Sequence, residues 1–509
     1  MSSLKKRYFS KLATNLIGFF ISLVTASIVP RSLGPANYGN FSFITNFFWG
    51  VANYFNLNSS TAFYAKLSRR QDEKHLVSFY MLFVVSICAI IGFFLFISIL
   101  FKFDSLIWPG QRQVFVIFGY IWAILSFLAM VFGDMSDAYG LTVWSEIYKM
   151  ATKILGLVIV LLMFFFNWFT LANYFVYQLA ILLVTTLCLL YVIKKGGHSI
   201  FKYVKLNKNQ IIAYGSEFAK FCLPLLIFST FSIFELLADR WFLQRFSGSV
   251  KQGYYALSYQ ISAVCFLFTS AIIPLIFREQ SISFGNNDMD KLKMVFKKTF
   301  TVLYVLTAFF SCFMAVEAKT LLKIFGGQAY AGAIIPVIIM CLYPIHQTYG
   351  QLNATFFFST ERVKAYRNIG LVFVLLGILT TVILLGPKSH GFLQLGAGGL
   401  AIKMFAIQIL AVNVQLFSNT KYLKLPFKNF LYQQIVVLFL TGTTAILSYT
   451  IVRSLIHTNF IIQFLLSGVI YSLATIGLLI FKPRLFFIEK KDVSKVMDFI
   501  KLKLGYQTI

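Results

Sequence analysis

Residues 1–30 read MSSLKKRYFSKLATNLIGFFISLVTASIVP, a basic start followed by an apolar run. A signal peptide would carry such a start, a short apolar core and a small-x-small cleavage site. This run is long enough to cross about 30 Å of hydrocarbon as a helix, and no cleavage site of that kind follows it. The stretch is therefore expected to be a first transmembrane helix, and similar segments recur almost to the last residue.

The composition points the same way. Of 509 residues, 59% are hydrophobic and 12% charged, an apolar surplus beyond what one globular core could bury. Barrel strands alternate polar and apolar residues over about 10 positions, and these uninterrupted runs do not. The expected fold class is an all-α polytopic membrane protein of about 14 transmembrane helices. They centre near residues 20, 51, 88, 125, 155, 180, 224, 264, 306, 344, 377, 406, 439 and 470.

Lys and Arg number 45 against 17 Asp and Glu, a net charge of +28. In a soluble protein this would suggest nucleic acid, but here the charges fall in alternate loops and no nucleic-acid partner is expected. With the N-terminus inside, Lys5 to Lys11, Lys66 to Lys74, Lys194 to Lys208, Arg278 to Lys298, Arg362 to Arg367, Lys421 to Lys428 and the tail from Lys482 share one side. That places roughly three-quarters of all Lys and Arg inside, the positive-inside bias. The expectation is a multi-pass protein of the cytoplasmic (inner) membrane with both termini cytoplasmic. Every outside loop is short, including Lys102 to Arg112 and Lys319 to Gln328.

The domain reading follows from these loops. Residues 1–195 form an N-terminal lobe of six helices, 196–210 a basic cytoplasmic linker and 211–420 a second lobe of six. Residues 421–482 add two helices, and 483–509 make a basic cytoplasmic tail. The linker could equally be a tether held to anionic headgroups. Internal echoes support two lobes: PRSLGPANYGNFSF (30–43) with LQRFSGSVKQGYYALSY (243–259), and GDMSDAYGLTVWSEIYKMATKILGLV (133–158) with FFFSTERVKAYRNIGLVFVLLG (356–377). Both pairs are six helices apart, which relates the lobes by a pseudo-twofold axis along the membrane normal.

Six scattered cysteines give no disulfide framework or zinc spacing, and five scattered histidines give no metal site. No phosphate-binding glycine loop is present, and the glycines of Leu395 to Gly399 suit close helix packing. No cofactor or metal is expected. Energy for any transport would come from an ion gradient, a membrane potential or the substrate gradient.

Polar groups inside spans are costly and therefore informative. The first helix carries the stripe Asn15, Gly18, Ser22 and Thr25, and the second carries Asn46, Asn53 and Asn56. Such a face packs helix on helix or lines a wet cavity whose amides would contact sugar hydroxyls. Deep charges are fewer. Lys220 lies about two turns into the seventh helix, Glu235, Asp239 and Arg240 toward its outer end, and Lys403 within the twelfth. Snorkelling to the headgroups competes with a binding role for Lys403 and Arg240. Anchoring competes for Arg31 and Arg278 at helix ends, and Asp134, Asp137 and Glu146 read by default as solvated interface charges.

The segments IVPRSLGPANYGNFSF (28–43), ADRWFLQRFSG (238–248), GYYALSYQ (253–260), LLKIFGGQAYAGAI (321–334) and LGAGGLA (395–401) lie in an order that resembles the polysaccharide (O-antigen and capsule, Wzx-like) flippases. These belong to the multidrug/oligosaccharidyl-lipid/polysaccharide exporter superfamily, and the resemblance spans about residues 8 to 480. It implies two lobes around a central cavity and alternating access that moves an undecaprenyl-diphosphate-linked oligosaccharide outward. The implied partners are that lipid-linked oligosaccharide, membrane lipids, a coupling H+ or Na+, and a polysaccharide polymerase with its chain-length regulator. A cationic cavity of Lys220, Lys403, Arg31, Arg240 and Arg278 would hold the diphosphate. Of these, Arg31 and the Asp239–Arg240 pair match family positions, and Lys220 and Lys403 follow from expected burial.

Glu235 and Asp239 are the ion-coupling candidates. The first two helices are poor in arginine, unlike the peptidoglycan-precursor flippases of the superfamily, which ranks that substrate lower. The competing readings are a multidrug antiporter of the same fold and a membrane enzyme of polysaccharide assembly. The short outside loops argue against the enzyme, and the lone lysines against a site for cationic drugs.

Overall fold

Hydrocarbon offers the backbone no water, so each apolar segment has to close its hydrogen bonds within itself, and helices result. The structure, a computed structural model, describes residues 4–57, 59–198, 206–223 and 226–490. They form α1 (Leu4–Asn56), α2 (Ser59–Arg69), α3 (Lys74–Leu100), α4 (Asp104–Ile107), α5 (Gln113–Ala138), α6 (Thr142–Phe165), α7 (Leu171–Lys195) and α8 (Lys208–Cys222). There follow α9 (Leu226–Ala263), α10 (Phe266–Gly285), α11 (Met289–Val316), α12 (Ala318–Phe325), α13 (Ile334–Ser359), α14 (Val363–Leu385), α15 (Gly396–Leu423), α16 (Phe427–Leu455) and α17 (Phe460–Phe481).

Among the described residues, eleven helical segments are long and apolar enough to cross a membrane, which makes this a multi-pass membrane protein. One of them is most of α1, whose 53 residues would extend about 80 Å if straight. Gly34 breaks it at φ 72°, ψ 166°, so it supplies two crossings. Gly248 breaks α9 in the same way at φ 78°, ψ 176°. With α1 counted twice, and α8 with α9 and α9 with α10 supplying the more polar seventh and eighth crossings, the expected set of about fourteen is complete. Both breaks need a backbone region that residues bearing a Cβ avoid, and the two glycines occupy equivalent places in the first pair of sequence echoes.

The first compact unit comprises Met1–Ala256 with Thr381–Gly396. In it α1 packs on α5 and α6, and α5 on α7. Its core is aromatic: Phe48 stacks on the buried Trp108 with ring centroids 5.4 Å apart, and Phe63 on Tyr80 at 3.9 Å. The second unit comprises Leu257–Thr380 with Ala397–Ile509, where α11 packs on α13 and α16, and α16 on α17. Phe296, Phe300, Tyr304, Tyr349 and Phe356 are fully buried there. Exposed large residues such as Phe93, Phe96, Phe439 and Leu473 form surface suited to lipid.

Two loops differ from expectation. The Lys319 to Gln328 stretch is mostly the helix α12, followed by a 3-10 turn over Gln328–Ala333, and Lys102 to Arg112 contains the short α4. In α12 the residues Leu321 and Leu322 are buried while Lys319 and Lys323 are exposed, so burying one face made a helix of it.

Candidate functional site

The two glycine breaks sit beside a reciprocal contact within the first unit. A Cβ built on Gly39 would stand 1.9 Å from the Ser249 carbonyl oxygen, and one built on Gly253 would stand 2.0 Å from the Pro35 carbonyl oxygen. Gly253 follows Gly39, and Ser249 follows Pro35, by the same 214 residues. Each repeat thus presents its glycine to the other's carbonyl, as a twofold relation requires. Nearby, Gln111 Nε2 donates to Asn40 Oδ1 at 2.8 Å, and Gln244 Nε2 donates to Ser249 Oγ at 3.0 Å.

Just before the second break stands Arg240, half-buried on α9. Its guanidinium carbon lies 4.6 Å from the centre of the Tyr255 ring, and Nη1 is buried with no hydrogen-bond partner among the described residues. Its neighbour Asp239 is buried and accepts a hydrogen bond from Thr381. Glu235, one turn earlier, is half-buried.

The remaining candidate cations divide sharply. Lys403 is 1% exposed on α15, whereas Lys220, expected to be buried, is exposed on α8. The difference is one of helix rotation: Lys220 follows Glu217 by one turn on a face that Phe218 and Cys222 do not share. Arg31 and Arg278 are exposed.

The asparagine face does not act as one surface. Asn53 is exposed. Asn46 is half-buried and donates to the Ser42 carbonyl at 2.7 Å. Asn56 is 5% exposed and ties the end of α1 to α2: its Oδ1 accepts from Ser59 Oγ at 2.8 Å and its Nδ2 donates to Ser60 Oγ at 3.1 Å. Asn56 is therefore a helix-joining residue, and sugar contact is withdrawn for it, since its amide is already engaged. The Asn15 side chain lies outside the described residues. Along the first stripe, Gly18 is buried against Lys153 of α6, whereas Ser22 is exposed; Ser22 donates to the Gly18 carbonyl at 2.7 Å and Thr25 to the Ile21 carbonyl at 3.0 Å within α1 itself, so the stripe is not one packed face.

Two groupings escaped sequence reasoning. Glu146 is 3% exposed, not solvated, and Lys149 Nζ donates to it at 3.0 Å. Beside it a cavity of about 420 Å³ is lined by Asp134, Asp137, Lys149 and Lys153 among others. Lys153 reaches this place because Gly18 has no side chain; a Cβ there would meet Lys153 Nζ at 2.5 Å.

In the second unit Glu317 is fully buried. One carboxylate oxygen accepts from Ser467 at 2.8 Å, and the other from Thr320 at 2.6 Å and Arg453 Nη2 at 3.1 Å. The partners lie 136 and 150 residues away in sequence, and only the position of Arg453 near the end of an apolar run hinted at them. No group of His, Cys, Asp and Glu able to hold a metal ion occurs among the described residues.

No protein-family model matches the chain, and no curated protein matches it in sequence. Solved structures do resemble it. The lipid II flippase MurJ in its inward closed conformation has a TM-score of 0.67 at 14% identity, over 93% of this chain and 98% of that one. An inward-facing multidrug resistance MATE family transporter of the MOP superfamily has a TM-score of 0.63 at 12% identity, over 81% and 94%. A MOP superfamily transporter from Pyrococcus furiosus, described with a binding pocket of reversed polarity, has a TM-score of 0.54 at 13% identity, over 81% and 94%. At such identities the likeness is one of fold, and the chain has the fold of the MOP-superfamily transporters.

Proposed function

We propose that the chain is a flippase that turns an undecaprenyl-diphosphate-linked oligosaccharide from the cytoplasmic to the outer leaflet of the cytoplasmic membrane, by alternating access, for surface polysaccharide synthesis. The observation that carries this reading is the Gly39–Gly253 contact. Two repeats meet there through backbone alone, at breaks that the positive-inside orientation places on the outer side. A contact with no interlocked side chains can part and re-form at low cost, which is what an outer closure has to do.

The substrate class follows from Arg240. A guanidinium held over a ring, with a donor unused, offers a diphosphate charge-assisted hydrogen bonds. Lys403, in the second unit, stays a candidate cation by itself, and the exposed Asn53 and the free Oδ1 face of Asn46 stay candidates for contact with sugar. Arg31, Arg278 and Lys220 stay candidates for steering the anion from exposed positions. Asp239, already held by Thr381, and Glu235 are the acids proposed for ion coupling. The prenyl tail remains in lipid throughout, and the polymerase takes the delivered unit.

The purified chain in liposomes, given a fluorescent undecaprenyl-diphosphate oligosaccharide, tests the reading. It should move the label between leaflets, and Arg240→Ala should slow transfer at least tenfold. A chain that moves cationic dyes and leaves the diphosphate in place would favour the multidrug antiporter instead.

A further inference from the structure

In the second unit, the early turns of α11, the turn between α15 and α16, the start of α16 and the segment that follows α17 enclose a cavity of about 430 Å³. Its lining is of two kinds. Lys297, Arg484 and Lys490 bring three cations against the single carboxylate of Glu489, while Leu425, Phe430, Phe487 and Ile488 bring apolar surface. Asn429, in the first turn of α16, adds an exposed amide.

The walls are held in position. After α17, Pro483 and Phe486 are buried, Phe486 within the same apolar cluster as Phe296 and Phe430, and the Ile488 amide donates to the Pro483 carbonyl at 3.1 Å. Phe487 keeps a left-handed φ of 60°, and its ring centre lies 5.7 Å from that of Tyr432 on α16. Gln433, 2% exposed, ties α16 to α11: the Thr301 hydroxyl donates to its Oε1 at 3.4 Å, and its Nε2 donates to the Thr301 carbonyl at 3.5 Å. A cavity with walls fixed in this way is largely pre-formed, as ligand sites are.

Basic residues are common on this face, and a diffuse attraction to headgroups is the simplest expectation for them. These cations differ in placement. Lys297 stands just before the apolar run of α11, Arg484 just after that of α17, and Asn429 just before that of α16, so the cavity lies at the level where hydrocarbon gives way to headgroups. Lys297, Arg484 and Lys490 form no ion pair among the described residues, not even with Glu489, whereas Lys291, Lys293 and Arg453 of the same unit each hold a carboxylate. A soluble anion needs only the cations. Apolar walls beside them match an amphiphile whose charged head sits in the cavity and whose chains stay in the bilayer.

We propose that this cavity binds the phosphodiester headgroup of an anionic membrane lipid. Lys297 and Arg484 hold the phosphate, Asn429 offers its amide to the polar end of the head, and the chains leave past Phe487 and Ile488. The positive-inside reading assigns this face to the cytoplasm. The site does not depend on what the chain transports.

The test titrates the full chain, purified in a neutral detergent, with phosphatidylglycerol, phosphatidylcholine or inorganic phosphate, and counts retained lipid by native mass spectrometry. One phosphatidylglycerol should be held saturably and about tenfold or more tighter than phosphatidylcholine, and inorganic phosphate at the same concentration should not displace it. Lys297→Gln with Arg484→Gln should weaken binding by about tenfold or more. Lys421→Gln with Lys424→Gln removes the same charge from exposed residues that do not line the cavity and should leave affinity within about twofold. Lys297→Arg with Arg484→Lys keeps both charges and should bind as the native chain does. Equal losses in the two glutamine pairs would mean diffuse attraction, and equal affinity for the two lipids or displacement by free phosphate would mean that no lipid site exists here; each result overturns the proposal.

Discussion

The Gly39–Gly253 contact in the first unit and the Glu317–Arg453 network in the second hold helices together in opposite ways. The first brings two backbones together with no side chain between them. The second surrounds a buried carboxylate with the hydroxyl of Thr320 next along the chain and with a hydroxyl and a guanidinium from α17 and α16. A contact of bare backbone has little to lose when it opens, whereas a buried ion pair cannot separate without stranding a charge in hydrocarbon. On this reading the first is a joint and the second a rivet that fixes α16 and α17 to α11 and α12.

The comparison is broken hardest at the rivet. Glu317→Ala should destabilise the chain by about 3–5 kcal/mol, the range for removing one partner of a buried pair, measured by denaturant unfolding in detergent. The paired replacement Glu317→Leu with Arg453→Met should recover most of the loss, and a double variant no better than Glu317→Ala would argue against a simple pair. At the joint, Gly39→Leu should cut diphosphate-lipid transfer at least tenfold, because its Cβ meets a carbonyl that cannot rotate away. Gly442→Ala on α16 is the control: nothing lies within 4 Å of its Cβ, and transfer should be unchanged.

Smaller effects sharpen the picture. Asn56→Ala leaves Ser59 and Ser60 hydroxyls short of partners and should cost about 1–3 kcal/mol, measured in the same unfolding experiment. The smallest effect concerns His198, stacked on Tyr139 with ring centres 3.6 Å apart in the loop after α7. Burial lowers its proton affinity, with Asp72 partly opposing. A ring whose folded pKa is depressed contributes stability above its ordinary value near 6.5 and loses that contribution as pH falls through the folded value. His198→Ala should therefore differ from the native chain at pH 8 and converge on it at pH 5, read by amide exchange in that loop.

Much of this architecture was legible in the sequence, because the bilayer dictates how long an apolar run must be and what its backbone has to do. The positions of Gly34 and Gly248 were visible as a repeat, although nothing in the letters told that the repeats touch. Side-chain direction was not legible. Lys220 and Lys403 look alike in the sequence as lysines within apolar runs, yet one is exposed and the other is 1% exposed, since a rotation of the helix by part of a turn decides it. Asn46, Asn53 and Asn56 lie on one predicted face, but the end of α1 at Asn56 turns that amide into a joint between helices. Glu317 and Arg453 are 136 residues apart and pair only through tertiary packing, which periodicity does not report.

The most direct test of the joint is a distance. Ala36 and Val250 are exposed, sit at equivalent places in the two repeats and flank the glycine contact without taking part in it. Spin labels at Ala36→Cys and Val250→Cys, measured by double electron–electron resonance in lipid bilayers, should give two distance populations whose ratio shifts when undecaprenyl-diphosphate oligosaccharide is added. One narrow distance, unchanged by substrate, would mean that the joint never opens and would contradict alternating access through it.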